Sequence, residues 1–163
     1  MRAPADAMQV LQFVTPTAIQ INLNMLDVRA MEIGLLEAAQ ARGVGIIART
    51  PLCFGFLSGL IRPDTQFKVG DHRQGWSAAQ IAAWINGAYQ ALALVPKPTG
   101  STMTQAALRF CLSSPAVSTV IPGMLTAFEV DENTAASTLG PLPQDAVMAV
   151  LALNRSRSFF VRD

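Results

Sequence analysis

An α/β fold built on a parallel sheet is predicted for this chain from three observations. Short β-branched apolar runs recur at residues 18–23, 44–48 and 117–121, and each is followed by a segment with helical apolar spacing. The composition, 51% hydrophobic with only 14% charged residues, is more apolar than the ~25% charged average of soluble domains. Strands alternating with helices imply parallel pairing through right-handed crossovers, and strands buried on both faces would account for the apolar excess. At 163 residues the chain suits one domain or part of one, and falls short of the roughly 250 residues of an ordinary eight-stranded β/α barrel.

The first clear cycle begins after the Pro16 turn with Ala18-Ile19-Gln20-Ile21-Asn22-Leu23, an alternating strand ending near Asn24. Asp27 is a candidate N-cap for a helix through Met31, Leu35, Leu36, Ala38 and Ala39, stopped by Arg42-Gly43. Val44-Gly45-Ile46-Ile47-Ala48 has the length and branching of a fully buried parallel strand. A glycine-bearing loop, Thr50–Gly59, and a long polar stretch, Arg62–Gly75, precede a helix capped by Ser77 and running to about Leu94. Pro96–Gly100 breaks the pattern, and Thr102 caps Met103–Leu112, with Phe110 and Cys111 on its inward stripe. After Pro115 come the strand Val117–Ile121, a helix over Ala127–Ser137 and a terminal helix over Gln144–Asn154; the tail Arg155–Asp163 is unplaced.

Several functions are disfavoured. No apolar run reaches the ~18 residues of a membrane-spanning helix, and no apolar stretch follows Met1–Asp6 to form a signal peptide, so a cytoplasmic location is expected. A net charge of +1 offers no field for nucleic acid. Cys53, Cys111 and the single histidine, His72, lack metal-ligand spacing, and both cysteines read as reduced core thiols. No G-x-G-x-x-G, Walker A or G-x-S-x-G pattern occurs, which argues against Rossmann, P-loop and triad chemistries.

Two stretches are more specific. Residues 48–59 read Ala-Arg-Thr-Pro-Leu-Cys-Phe-Gly-Phe-Leu-Ser-Gly directly after a strand; residues 107–123 end in Ile-Pro-Gly, with Glu-Val-Asp-Glu-Asn following at Glu129–Asn133. With Gln20 on the first strand, their wording and order resemble the C-terminal, cofactor-binding half of the aldo-keto reductases over about Val10 to Val161. The resemblance implies a partial (β/α)8 TIM barrel, comprising about the last three β/α units plus a C-terminal helix. Residues 1–163 would be one partial domain lacking the N-terminal half of the barrel.

That resemblance also implies a nicotinamide cofactor, NADP or NAD. Gln20 would meet the nicotinamide carboxamide, amide to amide, and Arg49 would stand beside the nicotinamide, where relatives often carry an aromatic ring. Thr50, Leu52 and Gly55 would cover the pyrophosphate. Gly123, Leu125, Glu129 and Asn133 would hold the adenosine, with Asn133 on the adenine. Relatives commonly place a cation at the position of Leu125 and a glutamine or arginine at that of Glu129. Without a cation a 2′-phosphate loses its charge-assisted partner, whereas Glu129 can accept from a ribose hydroxyl.

The family's catalytic tyrosine, aspartate, lysine and histidine lie on the first four strands of the barrel, none of which is recognisable here. No catalytic role is transferred to Tyr89 or His72. The function implied is the cofactor half of an enzyme that reduces small aldehydes or ketones by hydride transfer, inactive alone. The alternative is a non-catalytic remnant or interaction module that self-associates through exposed sheet edges around Ile21 and Val120, or joins the missing half. Without the resemblance, Gln20 reads as a satisfied strand residue, the Glu129–Asn133 pair as a solvated stripe, and Trp76, Trp84, Phe110, Phe159 and Phe160 as core or barrel-bottom packing.

Overall fold

The computed structural model describes residues 3–161. Three strands, β1 (Ala18–Asn22), β2 (Gly45–Arg49) and β3 (Val117–Ile121), form a parallel sheet in the order β1-β2-β3. Around it run α1 (Pro4–Phe13), α2 (Arg29–Glu32), α3 (Leu35–Ala41), α4 (Ala78–Ala93), α5 (Met103–Leu112), α6 (Ala127–Thr138) and α7 (Gln144–Ser156). Ile46 pairs with Val117 but Ile47 pairs with Thr119, so Ser118 bulges out of β3. Gly45 makes room for it, because a Cβ there would sit 2.7 Å from the Ser118 hydroxyl.

One face of the sheet carries Ile19, Ile21, Ile46 and Ala48, all buried under α1, α3 and α5. The other face carries Gln20, Asn22, Ile47, Arg49, Thr119 and Ile121, every one half-buried or exposed. Burial of the strands on both faces is therefore not what is found: the apolar excess goes into the helices and the single covered face. The bare face holds more amide, hydroxyl and guanidinium than branched hydrocarbon, so it presents less apolar surface than a stripped half-barrel would suggest.

Strand limits and most caps follow the sequence. Ser77 accepts from the Gln80 N–H, and Thr102 and Gln105 close a capping box at the start of α5. Three departures stand out. An unanticipated helix, α1, begins at Pro4 and buries Ala7 and Leu11. The helix expected from Asp27 is broken in two, because Gly34 adopts φ 72° between α2 and α3. Asp27 caps neither piece, since its carboxylate is occupied by Arg29.

The tail also has a place. Phe159 packs on Gly87 of α4, where a Cβ would lie 2.6 Å from the ring, and Gln80 ties the segment down by donating to the Phe159 carbonyl and accepting from the Val161 N–H. Cys53 and Cys111 are free and buried. Among the described residues no helix is long and apolar enough to cross a membrane, and no group of three or more His, Cys, Asp or Glu could hold a metal.

Candidate functional site

Because the sheet is parallel, the loops after all three strands leave from one end. Asn22, Arg49 and Ile121 lie in lateral register there, with Gln20, Ile47 and Thr119 forming the row below. Gln20 and Arg49 thus share the bare face on adjacent strands, Arg49 one row nearer the loops. Val120 and Ile21, named as edge positions, do lie on the outer strands.

The loop after β2 is strained and firmly held. Thr50, Cys53 and Phe54 have φ of 51°, 45° and 57°, values uncommon outside glycine, and Gly55 follows at 95°. Two asparagines from the end of β1 fix its start. The Thr50 hydroxyl donates to Asn22 Oδ1 at 2.9 Å, and the Thr50 carbonyl accepts from Asn24 Nδ2 at 3.0 Å. Asn24 is buried, and its Oδ1 accepts from the Leu26 N–H, so both ends of its amide are used. The Leu52 carbonyl accepts from the N–H groups of Gly55 and Leu57, winding the chain into a short 3-10 turn. At Gly55 a Cβ would come within 3.3 Å of Arg73 Nη1, so a second segment crowds this point.

That second segment is the polar stretch before α4. Arg73 grips Asp71 through Nε and Nη2, the latter at 2.6 Å, donates through Nη1 to the Phe54 carbonyl at 3.2 Å, and lies over the Phe67 ring. The side-chain and backbone hydrogen bonds from Arg73 pull the Asp71 carboxyl down to about 2. The Asp71-His72-Arg73 run is a clamp between two loops, with His72 exposed at its edge.

The loop after β3 is held by local bonds instead. Glu129 Oε2 accepts from the Leu125 N–H at 2.7 Å, the Thr126 N–H at 2.9 Å and the Thr126 hydroxyl at 3.2 Å, while the Glu129 N–H donates to Thr126 Oγ1. The box caps α6, and those donors, Leu125 N–H first, hold the carboxyl below its ordinary value. Asn133 is buried and its Nδ2 approaches the Gly123 carbonyl at 3.5 Å. Glu129 and Asn133 therefore both turn toward the Gly123–Thr126 loop. Leu125 points away, 95% exposed, and Phe128 is 72% exposed.

The family model for the aldo/keto reductase family matches residues 2–155. This chain belongs to that family. It is 30% identical over 155 residues to an aldo-keto reductase of Strobilurus tenacellus, covering 91% of this chain and 46% of that protein. Against the L-glyceraldehyde 3-phosphate reductase of Escherichia coli it is 28% identical, covering 72% and 35%. The glycerol dehydrogenase of Gluconobacter oxydans superposes with a TM-score of 0.74 at 21% identity, over 99% of this chain and 49% of that one. An aldo-keto reductase of Bacillus halodurans superposes with a TM-score of 0.65 at 21% identity, over 95% and 48%. The chain spans less than half the length of these relatives, and its fold is a partial β/α barrel of their kind.

The residues that motif reading passed over are those that support the loops. Asn22 and Asn24 carry no motif, and their partner Thr50 lies 28 and 26 residues away, so no local signal announced them. Of the core or barrel-bottom packing expected for the aromatics, the core part holds for Trp84, which is buried, and for Trp76, which packs against the core; these two and Phe160 also line a cavity at the loop end of the sheet with Asn22, Thr50 and Phe54. Phe110 and Phe159 are buried, as expected.

Proposed function

We propose that this chain is the cofactor-clasping half of an NAD(P)-dependent carbonyl oxidoreductase, and that it does not turn over carbonyl substrate by itself. The observation carrying this reading is the convergence at one end of the sheet of Gln20, Arg49, the strained Thr50–Gly55 loop and the Gly123–Asn133 loop, within a chain of the aldo/keto reductase family.

The residues fit a dinucleotide without a 2′-phosphate. Gly55, where a side chain would meet Arg73, lets backbone come close to a pyrophosphate, while the Thr50 hydroxyl, spent on Asn22 Oδ1, helps to hold the loop. At the adenosine end, exposed Leu125 supplies no charge, and the Glu129 carboxylate would repel a phosphate while its Oε1 remains available to a ribose hydroxyl. NAD is therefore the favoured cofactor. When bound, its nicotinamide supplies the hydride. Gln20 and Arg49 would orient that ring, and Asn22 and Asn24 would keep the loop beneath it in shape.

Among these 163 residues Tyr89 is the only tyrosine; it lies mid-helix on α4, 45% exposed, and the only histidine, His72, sits on the Asp71–Arg73 clamp. Neither matches the family's proton donor, which lies on the first four strands of the barrel. The outer strands β1 and β3 leave edges unpaired among the described residues, which favours, as a second reading, a module that associates through them with itself or with a complementary half.

Titration of the purified chain with NADH and NADPH, followed by cofactor fluorescence alongside oligomeric state and carbonyl-dependent oxidation, tests the proposal. Saturable NADH binding without turnover is expected. Turnover would show that the missing acid is supplied from within the chain, and a folded, associated chain that binds neither nucleotide would leave only the module reading.

A further inference from the structure

α6 carries both side chains read as adenosine contacts, Glu129 and Asn133, yet apolar burial does little to hold it. Of its twelve residues only Asn133 and Ala136 are buried, while Phe128 and Val130 stand exposed. One alanine methyl is far less than the apolar stripe by which a three-turn helix ordinarily docks. The local bonds that shape the first turn of α6 leave its seat on the rest of the fold to be fixed by something else. Its neighbour is α5, whose residues 104–111 are all buried.

Polar ties join the two helices. Gln105 is 9% exposed, and both ends of its amide are committed. Its Oε1 accepts from the Thr102 N–H at 3.1 Å, closing the box at the start of α5, and its Nε2 donates to the Glu132 carbonyl at 3.0 Å. That carbonyl belongs to the peptide unit joining Glu132 to Asn133, so the bond lands at the level of the buried asparagine. Farther along, Arg109 donates through Nε to the Gly140 carbonyl at 2.8 Å and through Nη2 to the Pro141 carbonyl at 3.1 Å, just beyond the last turn of α6. A cation there also complements the negative end of the helix dipole. Its Nη1 is buried without a partner among the described residues, so the Arg109 tie is incomplete, whereas the Gln105 tie satisfies both ends of a buried amide.

The two ties differ in where they act. Arg109 holds the chain leaving α6, and Gln105 holds the body of the helix beside Asn133. Glu129 and Asn133, four residues apart on one face, ride on the same backbone. Any slip of α6 along α5 would carry both away from the Gly123–Thr126 loop together.

We propose that Gln105 is a positioning residue: it seats α6 on α5 and thereby sets where the adenosine half of the cofactor is received. The ligand rests on the proposed cofactor reading; the seating of α6 does not.

Gln105→Glu separates the two bonds. A glutamate closes a capping box as well as a glutamine does, so α5 keeps its cap, but an acceptor replaces the donor that faces the Glu132 carbonyl. Affinity for ADP-ribose, measured by calorimetry, should fall about tenfold, while that for reduced nicotinamide mononucleotide, which lacks the adenosine, should stay within about twofold. Amide hydrogen exchange should quicken across α6 and not across α5. Gln105→Met, uncharged and of similar length, should weaken ADP-ribose roughly fivefold. Thr102→Ala damages the same box without touching the bond to Glu132, and should lower the thermal midpoint while leaving ADP-ribose affinity within about twofold. Unaltered ADP-ribose affinity in both folded Gln105 variants, an equal loss for the mononucleotide, or an equal loss in Thr102→Ala would overturn the proposal. A native chain that binds no ADP-ribose, with exchange in Gln105→Glu quickened in α6 alone, rejects the cofactor reading and keeps the seating; unchanged exchange in α6 rejects the seating whatever the nucleotide does.

Discussion

The loops after β2 and β3 leave the same end of one sheet but are shaped by different physics. The β2 loop is bent into left-handed backbone at Thr50, Cys53 and Phe54 and kept there by side chains distant in sequence: Asn22, Asn24 and Arg73. The β3 loop has no such strain and is held by residues within ten positions of one another, through the Thr126–Glu129 box and Asn133. In the proposed reading the β2 loop covers a pyrophosphate, and tertiary contacts would preorganise it for that ligand. The β3 loop, to which the same reading gives the adenosine, is shaped by the cap of the helix that follows it.

Substitutions should expose that difference, most severely on the β2 side. Asn24→Ala strands the Thr50 carbonyl and the Leu26 N–H, and should cost about 3 kcal/mol in urea unfolding; a change below 1 kcal/mol would mean that the loop holds itself. Gly55→Ala forces a Cβ onto φ 95° beside Arg73, with an expected loss of about 1–2 kcal/mol and a larger loss of NADH affinity, checked by the same unfolding experiment and by fluorescence titration.

Acid should release the clamp next. The Asp71 carboxyl is held at about 2 in the folded chain against 3.8 for an unperturbed side chain, so its contribution is complete above about pH 4 and fades as pH falls toward 2. Asp71→Asn should remove this part of the acid dependence, seen as a flatter thermal midpoint between those pH values; an unchanged acid limb would place the sensitivity elsewhere. The smallest structural effect belongs to the β3 loop. Glu129→Gln preserves an acceptor for the Leu125 and Thr126 N–H groups and should leave the thermal midpoint nearly unchanged, while combination with Leu125→Arg should shift the NADPH-to-NADH affinity ratio about tenfold toward NADPH.

The same contrast explains what could be read from sequence. On the β3 side Pro122-Gly123 marked the loop and the spacing after it marked the helix, while the Thr126–Glu129 box went unread although its determinants are local. Strand positions were legible from β-branched runs bounded by glycine and proline. The support of the β2 loop was not, because nothing in Asn22 or Asn24 announces a bond to Thr50, 28 and 26 residues away. The break at Gly34 hid inside an uninterrupted apolar spacing, and α1 lay before the first recognisable cycle. Burial of one sheet face rather than both also escaped, since Ile47 and Ile121 look like core residues until the third dimension leaves them uncovered.

β2 is the one strand paired with a strand on both flanks among the described residues, while β1 and β3 are the outer strands of the sheet. Both margins lie where a neighbouring strand of a larger parallel sheet would pair. In the proposed module reading, a complementary piece on a separate polypeptide would extend a sheet whose three strands are already aligned.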